Sequence, residues 1–173
     1  MKNGQRAKKD KATAKAFVLL LIKIAAVAFA VTVIFSFVIG AARINDIGMM
    51  PAVAPGDLII YYRLDKNYVA SDVIVFDYKG EKRTARVVAV SGDKVEIKDN
   101  ELIINGSRQY EPKVYDDTLA VEKGVSFPVT VEPDHVFVMG DNRKKAADSR
   151  LFGSVPVGDT YGKVFAVIRR RDI

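Results

Sequence analysis

The chain has 173 residues, enough for one folded domain with its own core. Charged residues make up 28% and hydrophobic residues 49%, which excludes both a disordered chain and a membrane protein of many spans. There is no cysteine, so disulfides, thiolate metal sites and a cysteine nucleophile are excluded together. The net charge of +6 is unevenly placed. Lys2, Arg6, Lys8, Lys9, Lys11 and Lys15 precede the first apolar run against Asp10 alone, and Arg169, Arg170 and Arg171 close the chain. Basic residues leading into an apolar run are a topology signal. No nucleic-acid motif accompanies them, so no nucleic-acid partner is expected.

Residues 16–40 read AFVLLLIKIAAVAFAVTVIFSFVIG, apolar except for Lys23, Thr32 and Ser36. About 20 apolar residues cross a bilayer as a helix. Lys23 lies near the basic end, where its stem can carry the ammonium to the headgroups. A cleaved signal peptide would have an apolar region of about 7–15 residues, shorter than this one, although Ala41-Ala42 offer small residues for cleavage. The expected organisation is therefore a basic cytoplasmic tail (1–15), a single transmembrane signal anchor (16–40) and an extracytoplasmic domain (41–173). The plasma membrane is the expected location, with the lipid bilayer as partner.

Beyond the span, short β-rich segments recur between turn signals: Leu58–Tyr62, Val73–Tyr78, Thr84–Val90, Lys94–Lys98 and Glu101–Ile104, then Val129–Val131, Val136–Met139 and Lys163–Ile168. Asp99-Asn100 joins two of them as a hairpin loop. No later stretch keeps a helical period, so the expected fold is mainly β, a barrel or sandwich behind one helix. Residues 110–127 are polar and irregular and read as a long surface excursion.

Four segments, in order, resemble the motif boxes of the type I signal peptidases, the serine–lysine S26 family. Ile47-Gly48-Met49-Met50-Pro51-Ala52-Val53, with Gly56-Asp57 behind, resembles the glycine-serine-methionine-x-proline-threonine-leucine run. Ser71-Asp72-Val73-Ile74-Val75-Phe76 is similar to a glycine-aspartate-hydrophobic strand. Arg86-Val87-Val88-Ala89-Val90-Ser91-Gly92-Asp93 is similar to the arginine-valine-valine-glycine segment. Gly140-Asp141-Asn142-Arg143 with Asp148-Ser149-Arg150 and Gly153 is the closest match. The likeness spans residues 16 to 168.

The resemblance implies a serine nucleophile, a neutral lysine as its base and an oxyanion hole. Carried over position by position, the nucleophile falls at Gly48, the base at Ala85, an oxyanion-hole serine at Asp46 and a lysine-orienting serine at Ala146. None of these residues can perform its role, so the resemblance implies a pseudoenzyme. Gly140, Asp141, Asn142, Arg143, Asp148, Ser149 and Arg150 would remain as a structural network of tight turns and bidentate ion pairs. A groove for an extended precursor segment is expected between Ala42, Ile44, Met49, Met50, Pro51 and Val53 on one side and Arg83, Thr84 and Ala85 on the other. No metal and no cofactor are expected.

Two function classes follow. In the first, the chain is an inactive assembly factor or chaperone for exported precursors, resembling the signal-peptidase-like pilus assembly proteins of Gram-positive bacteria, with a pilin polypeptide or a sortase as partner. In the second, unconventional residues still cut precursors. Lys82 is expected on the strand face opposite Ala85. His135, Ser91, Ser149 and Ser154 read as edge or turn residues, and Asp46 with Asp148 is the one candidate acid pair.

Overall fold

In this computed structural model residues 2–169 are described, with side chains from Thr13 onward. Met1 and residues 170–173, and with them Arg170 and Arg171, lie outside the described residues, as do the side chains of the basic lead-in before Thr13. Two units result, divided between Val38 and Ile39.

The first unit is the helix α1 (Lys2–Val33), which runs on as a π-helical turn over Ile34–Val38. Its apolar part, Thr13–Val38, has a mean hydropathy of 2.8 and is long enough to cross a membrane. The expected span therefore ends two residues early. Ile39 and Gly40 leave the helix and open the first strand, β1 (Ile39–Arg43). Gly40 pairs with Tyr61, whose ring lies where a Cβ at position 40 would stand, so only glycine fits beside it.

The second unit is β-rich. Its further elements are β2 (Leu58–Tyr62), β3 (Val73–Tyr78), β4 (Glu81–Val90), β5 (Lys94–Lys98), β6 (Glu101–Ile104), β7 (Ser107–Arg108), β8 (Val129–Thr130), β9 (His135–Met139), the short helix α2 (Ser149–Phe152), β10 (Val155–Pro156) and β11 (Thr160–Ile168). A seven-stranded sheet runs β1-β2-β11-β3-β4-β9-β10, and a four-stranded sheet runs β7-β6-β5-β8. Every pair is antiparallel. The mainly β expectation holds; β1, β7, β10 and α2 are additions to it.

Turn chemistry sets the registers. Lys79-Gly80, Asp99-Asn100 and Asn105-Gly106 each place two successive residues at positive φ. Such tight turns match the right-handed twist of the strands they join. Asp and Asn tolerate that conformation and glycine adopts it freely.

Alternation then sorts the side chains into cores. Ile74, Phe76, Ala85, Val87, Val136 and Val138 form one, and Ile44, Met49, Val53, Ile59, Tyr61 and Val75 another. A third, with Val95, Leu102, Val131, Phe137 and Met139, joins the small sheet to the large one. Between β7 and β8 the chain makes the expected excursion without a strand.

Candidate functional site

The site is built on the segment after β1, the first half of β4 and the loop between β9 and α2. In the loop, three arginine forks organise the backbone. Arg86 donates to both oxygens of Asp141, at 2.8 and 2.6 Å, and to the Ser71 carbonyl at 2.9 Å. Arg150 grips Asp148 through two bonds of 2.9 Å while donating to the carbonyls of Arg143 and Leu119. Arg143 donates to the Gly140 carbonyl and holds Glu111 with both terminal nitrogens. Arg150 and Asp148 are only 2% and 1% exposed, so each charge is stable there because the other is present. The expected ionic network is thus formed, but Glu111 and Thr118, which also meets Arg143, come from the excursion. No spacing rule links Glu111 to a residue 32 positions away, so the sequence carries no signal for that pair.

The network positions Gly48. The Asn142 amide donates to the Gly48 carbonyl at 2.9 Å, and the Asn142 side chain donates to the Ile47 carbonyl at 3.3 Å. Gly140 lies so close that a Cβ on it would overlap the Gly48 carbonyl and the Ala146 methyl. Gly48 itself has no positive φ; a Cβ there would stand 3.1 Å from Asp46 Oδ2 and 3.3 Å from Ala146. The Gly48 amide donates to Asp46 Oδ1 at 3.1 Å. Positions 46, 48 and 146 therefore meet at one point.

Ala85 lies on β4 opposite Ile74, in the core that contains Phe76 and Val138. Thr84 pairs with Val75 and so shares the face on which Met49 packs. The register with β3 runs without a bulge from Glu81 to Arg86, which keeps Lys82 on the face opposite Ala85. The Lys82 ammonium sits 4.7 Å from the centre of the Tyr161 ring. Burial, and a bond to Asp77, push the Tyr161 phenol above its ordinary range.

An open groove of about 600 Å³ lies here, lined by Arg43, Asn45, Asp46 and Ile47 on one side and Glu81, Lys82 and Arg83 on the other. Pairing of β4 with β9 begins only at Arg86, so, among the described residues, 81–85 carry β3 on one edge and no strand on the other. Arg83 Nε is buried there without a hydrogen-bond partner, and Thr84 Oγ1, on the face of the Met49 core, is likewise buried and unpartnered.

The structure divides the residues expected to bound the groove. Arg83 lines it. Ile44, Met49 and Val53 are instead fully buried in the core around Tyr61, with Ala42 packed against them, because the turn after Gly48 folds Met49 inward. Met50, 41% exposed, and Pro51 face outward.

The other polar candidates are occupied in structural ways. Ser149 Oγ accepts the Val138 amide, and Ser91 donates to the Glu132 and His135 carbonyls. His135 lies 3.6 Å from Glu132. Asp148 is held by Arg150 and the Gly140 amide rather than by Asp46. Among the described residues no His, Asp or Glu cluster is suited to a metal.

Comparison with known proteins places these features in context. The profile of "Signal peptidase, peptidase S26" matches residues 15–169. Signal peptidase I of Bacillus caldolyticus is 32% identical over 142 residues, covering 74% of this chain and 78% of its own. Signal peptidase I of Bacillus amyloliquefaciens is 28% identical over 177 residues, covering 92% and 94%. A crystal structure of a signal peptidase I from Enterococcus faecalis V583 superposes with a TM-score of 0.49 at 26% identity, covering 57% of this chain and 97% of that one.

Proposed function

Because the chain belongs to the peptidase S26 signal peptidase family, we propose that it is a member that holds an extended precursor segment without cutting it. Gly48 stands in the nucleophile's place and Ala85 in the base's place, with Asp46 and Ala146 replacing two supporting serines. A glycine has no atom with which to attack a carbonyl, and an alanine cannot take a proton.

The observation that carries the binding half is the unpaired edge of β4. An extended segment added there would gain main-chain hydrogen bonds, and side chains would enter the groove between residues 43–47 and 81–83. Arg83 Nε, buried and unpartnered at the groove, would gain an acceptor from that segment. The retained Arg86–Asp141 and Arg150–Asp148 pairs keep the groove's floor in shape without any need for chemistry.

We assign the chain to assembly of exported, membrane-tethered polypeptides such as pilus subunits, with a sortase as a candidate companion. The anchor helix, with the basic end cytoplasmic and the β domain outside, would set the groove in the compartment where such precursors emerge. The competing reading, proteolysis by unconventional residues, is favoured by the names of the two Bacillus relatives, both called signal peptidase I.

The test is to incubate the full chain in detergent with candidate pilin precursors and score cleavage and co-purification together. Capture without cleavage is expected. Turnover that vanishes in Lys82→Ala or in a single serine-to-alanine variant overturns the proposal.

A further inference from the structure

We infer that Asp46 closes the oxyanion-binding position from within, so that the missing nucleophile and base are not the whole reason for inactivity. The inference rests on the assignment of position 48 to the nucleophile made above. In serine hydrolases the nucleophile's own backbone amide commonly donates to the developing oxyanion. Here that amide belongs to Gly48, and its proton already goes to Asp46 Oδ1 at 3.1 Å. The second carboxylate oxygen, Oδ2, would lie 3.1 Å from a Cβ at position 48, beside any side chain installed there.

The carboxylate therefore has two effects on an incoming peptide. It occupies the donor that a carbonyl oxygen would need, and it places a negative charge where negative charge would develop. A ground-state carbonyl could displace it only by breaking a charge-assisted hydrogen bond. A tetrahedral oxyanion would in addition be repelled. Asp46 also lines the groove, so it acts on the occupant directly and not only through the backbone. A segment lying along β4 would thus keep its carbonyls out of position 48 and pass through intact.

A side chain restored at 48 would stand 3.1 Å from the Asp46 carboxylate and 3.3 Å from the Ala146 backbone and methyl, so these neighbours must give by a few tenths of an ångström. Gly48 has an ordinary φ, and its carbonyl is held by Asn142 irrespective of the side chain at 48. Removal of the Asp46 carboxylate is then what frees the Gly48 amide for an oxyanion.

Two measurements decide this. In the first, the triple variant Gly48→Ser, Ala85→Lys, Ala146→Ser is compared with the quadruple variant that adds Asp46→Ser, using a signal-peptide substrate and the full chain in detergent. The quadruple variant should cleave about 100-fold faster, the effect of one oxyanion donor. Equal rates, or no cleavage by the quadruple variant, overturn the inference. In the second, glycine-selective nitrogen labelling follows exchange of the Gly48 amide in the otherwise unaltered chain. Asp46→Ala should speed it about tenfold, the effect of losing one hydrogen bond of about 1.4 kcal/mol. An unchanged rate shows the amide is not bonded and also overturns the inference. Cleavage by the unaltered chain would instead sink the proposed function, and the amide measurement would still stand on its own.

Discussion

The loop from Gly140 to Arg150 and the groove mouth around residues 43–47 and 81–83 are neighbours with opposite polar economies. In the loop every buried charge has a fork or a carboxylate: Arg86 with Asp141, Arg143 with Glu111, Arg150 with Asp148. At the mouth, Arg83 Nε is buried without a partner and half of β4 has a bare edge, with Thr84 Oγ1 unpartnered in the core beneath. Satisfied polar groups fix a shape, whereas unsatisfied ones at an open edge leave free energy to be gained from a ligand. The difference teaches that the loop's shape is fixed by paired charges, whereas the rim still has polar groups and an edge left to satisfy.

The comparison breaks most severely if a fork is removed. Arg150→Ala leaves the Asp148 carboxylate buried and uncompensated, and should cost about 3–5 kcal/mol of folding stability, read from chemical or thermal unfolding of the full chain in detergent. A cost below about 1 kcal/mol would mean that the loop is not held by its ion pairs.

Next comes the pair of methionines. Met49 is fully buried and Met50 is 41% exposed, so truncating the first should cost about 2–4 kcal/mol and the second well under 1 kcal/mol. Met50→Asp should leave the domain folded and lower precursor capture if the exposed tip contributes to binding. Unchanged capture would confine the contact to the β4 edge.

Thr84→Val tests the unpartnered hydroxyl beneath the rim. Replacing it with a methyl should raise stability by about 1 kcal/mol and leave capture unchanged. A variant that loses stability would show that Thr84 already has a partner in the free protein.

The smallest effect lies outside both regions and serves as a control. The Tyr68 phenol bonds Thr160 Oγ1 at 2.7 Å, and burial pushes its pKa above the ordinary value. A folded-state value above the unfolded value of about 10 means that the contribution is present below about pH 10 and lost as pH rises through the folded value. Unfolding midpoints of the natural chain and Tyr68→Phe should run parallel near neutrality and converge at higher pH, with no change in capture.

Much of the frame was legible before any coordinates. The apolar run set a helix, because its length and lack of charge admit little else. Period-two segments bounded by Gly, Asp and Asn set the strands: Leu58–Tyr62, Val73–Tyr78, Lys94–Lys98 and Glu101–Ile104 fall where expected. β1 was missed because Ile39 and Gly40 continue the apolar run, and only pairing with Tyr61 and Tyr62 makes them strand. Motif order marked out Asp46, Gly48, Ala85 and Ala146 as a set; the structure brings 46, 48 and 146 together, while Ala85 packs in the core with Ile74 and Phe76.

What the linear order could not decide is how those residues spend their hydrogen bonds and which methionine turns inward. Met49 and Met50 are the same residue type in adjacent positions, and only the core around Ile44, Val53 and Tyr61 chooses between them. Glu111 finds Arg143 across 32 residues through a loop with no periodicity. Asn142, from the far loop, bonds the Ile47 and Gly48 carbonyls and so joins two segments nearly a hundred residues apart. Sequence alone determined the local elements, because propensity and periodicity act between near neighbours. Tertiary structure decided burial and ion pairing, because each depends on a partner brought close by the fold.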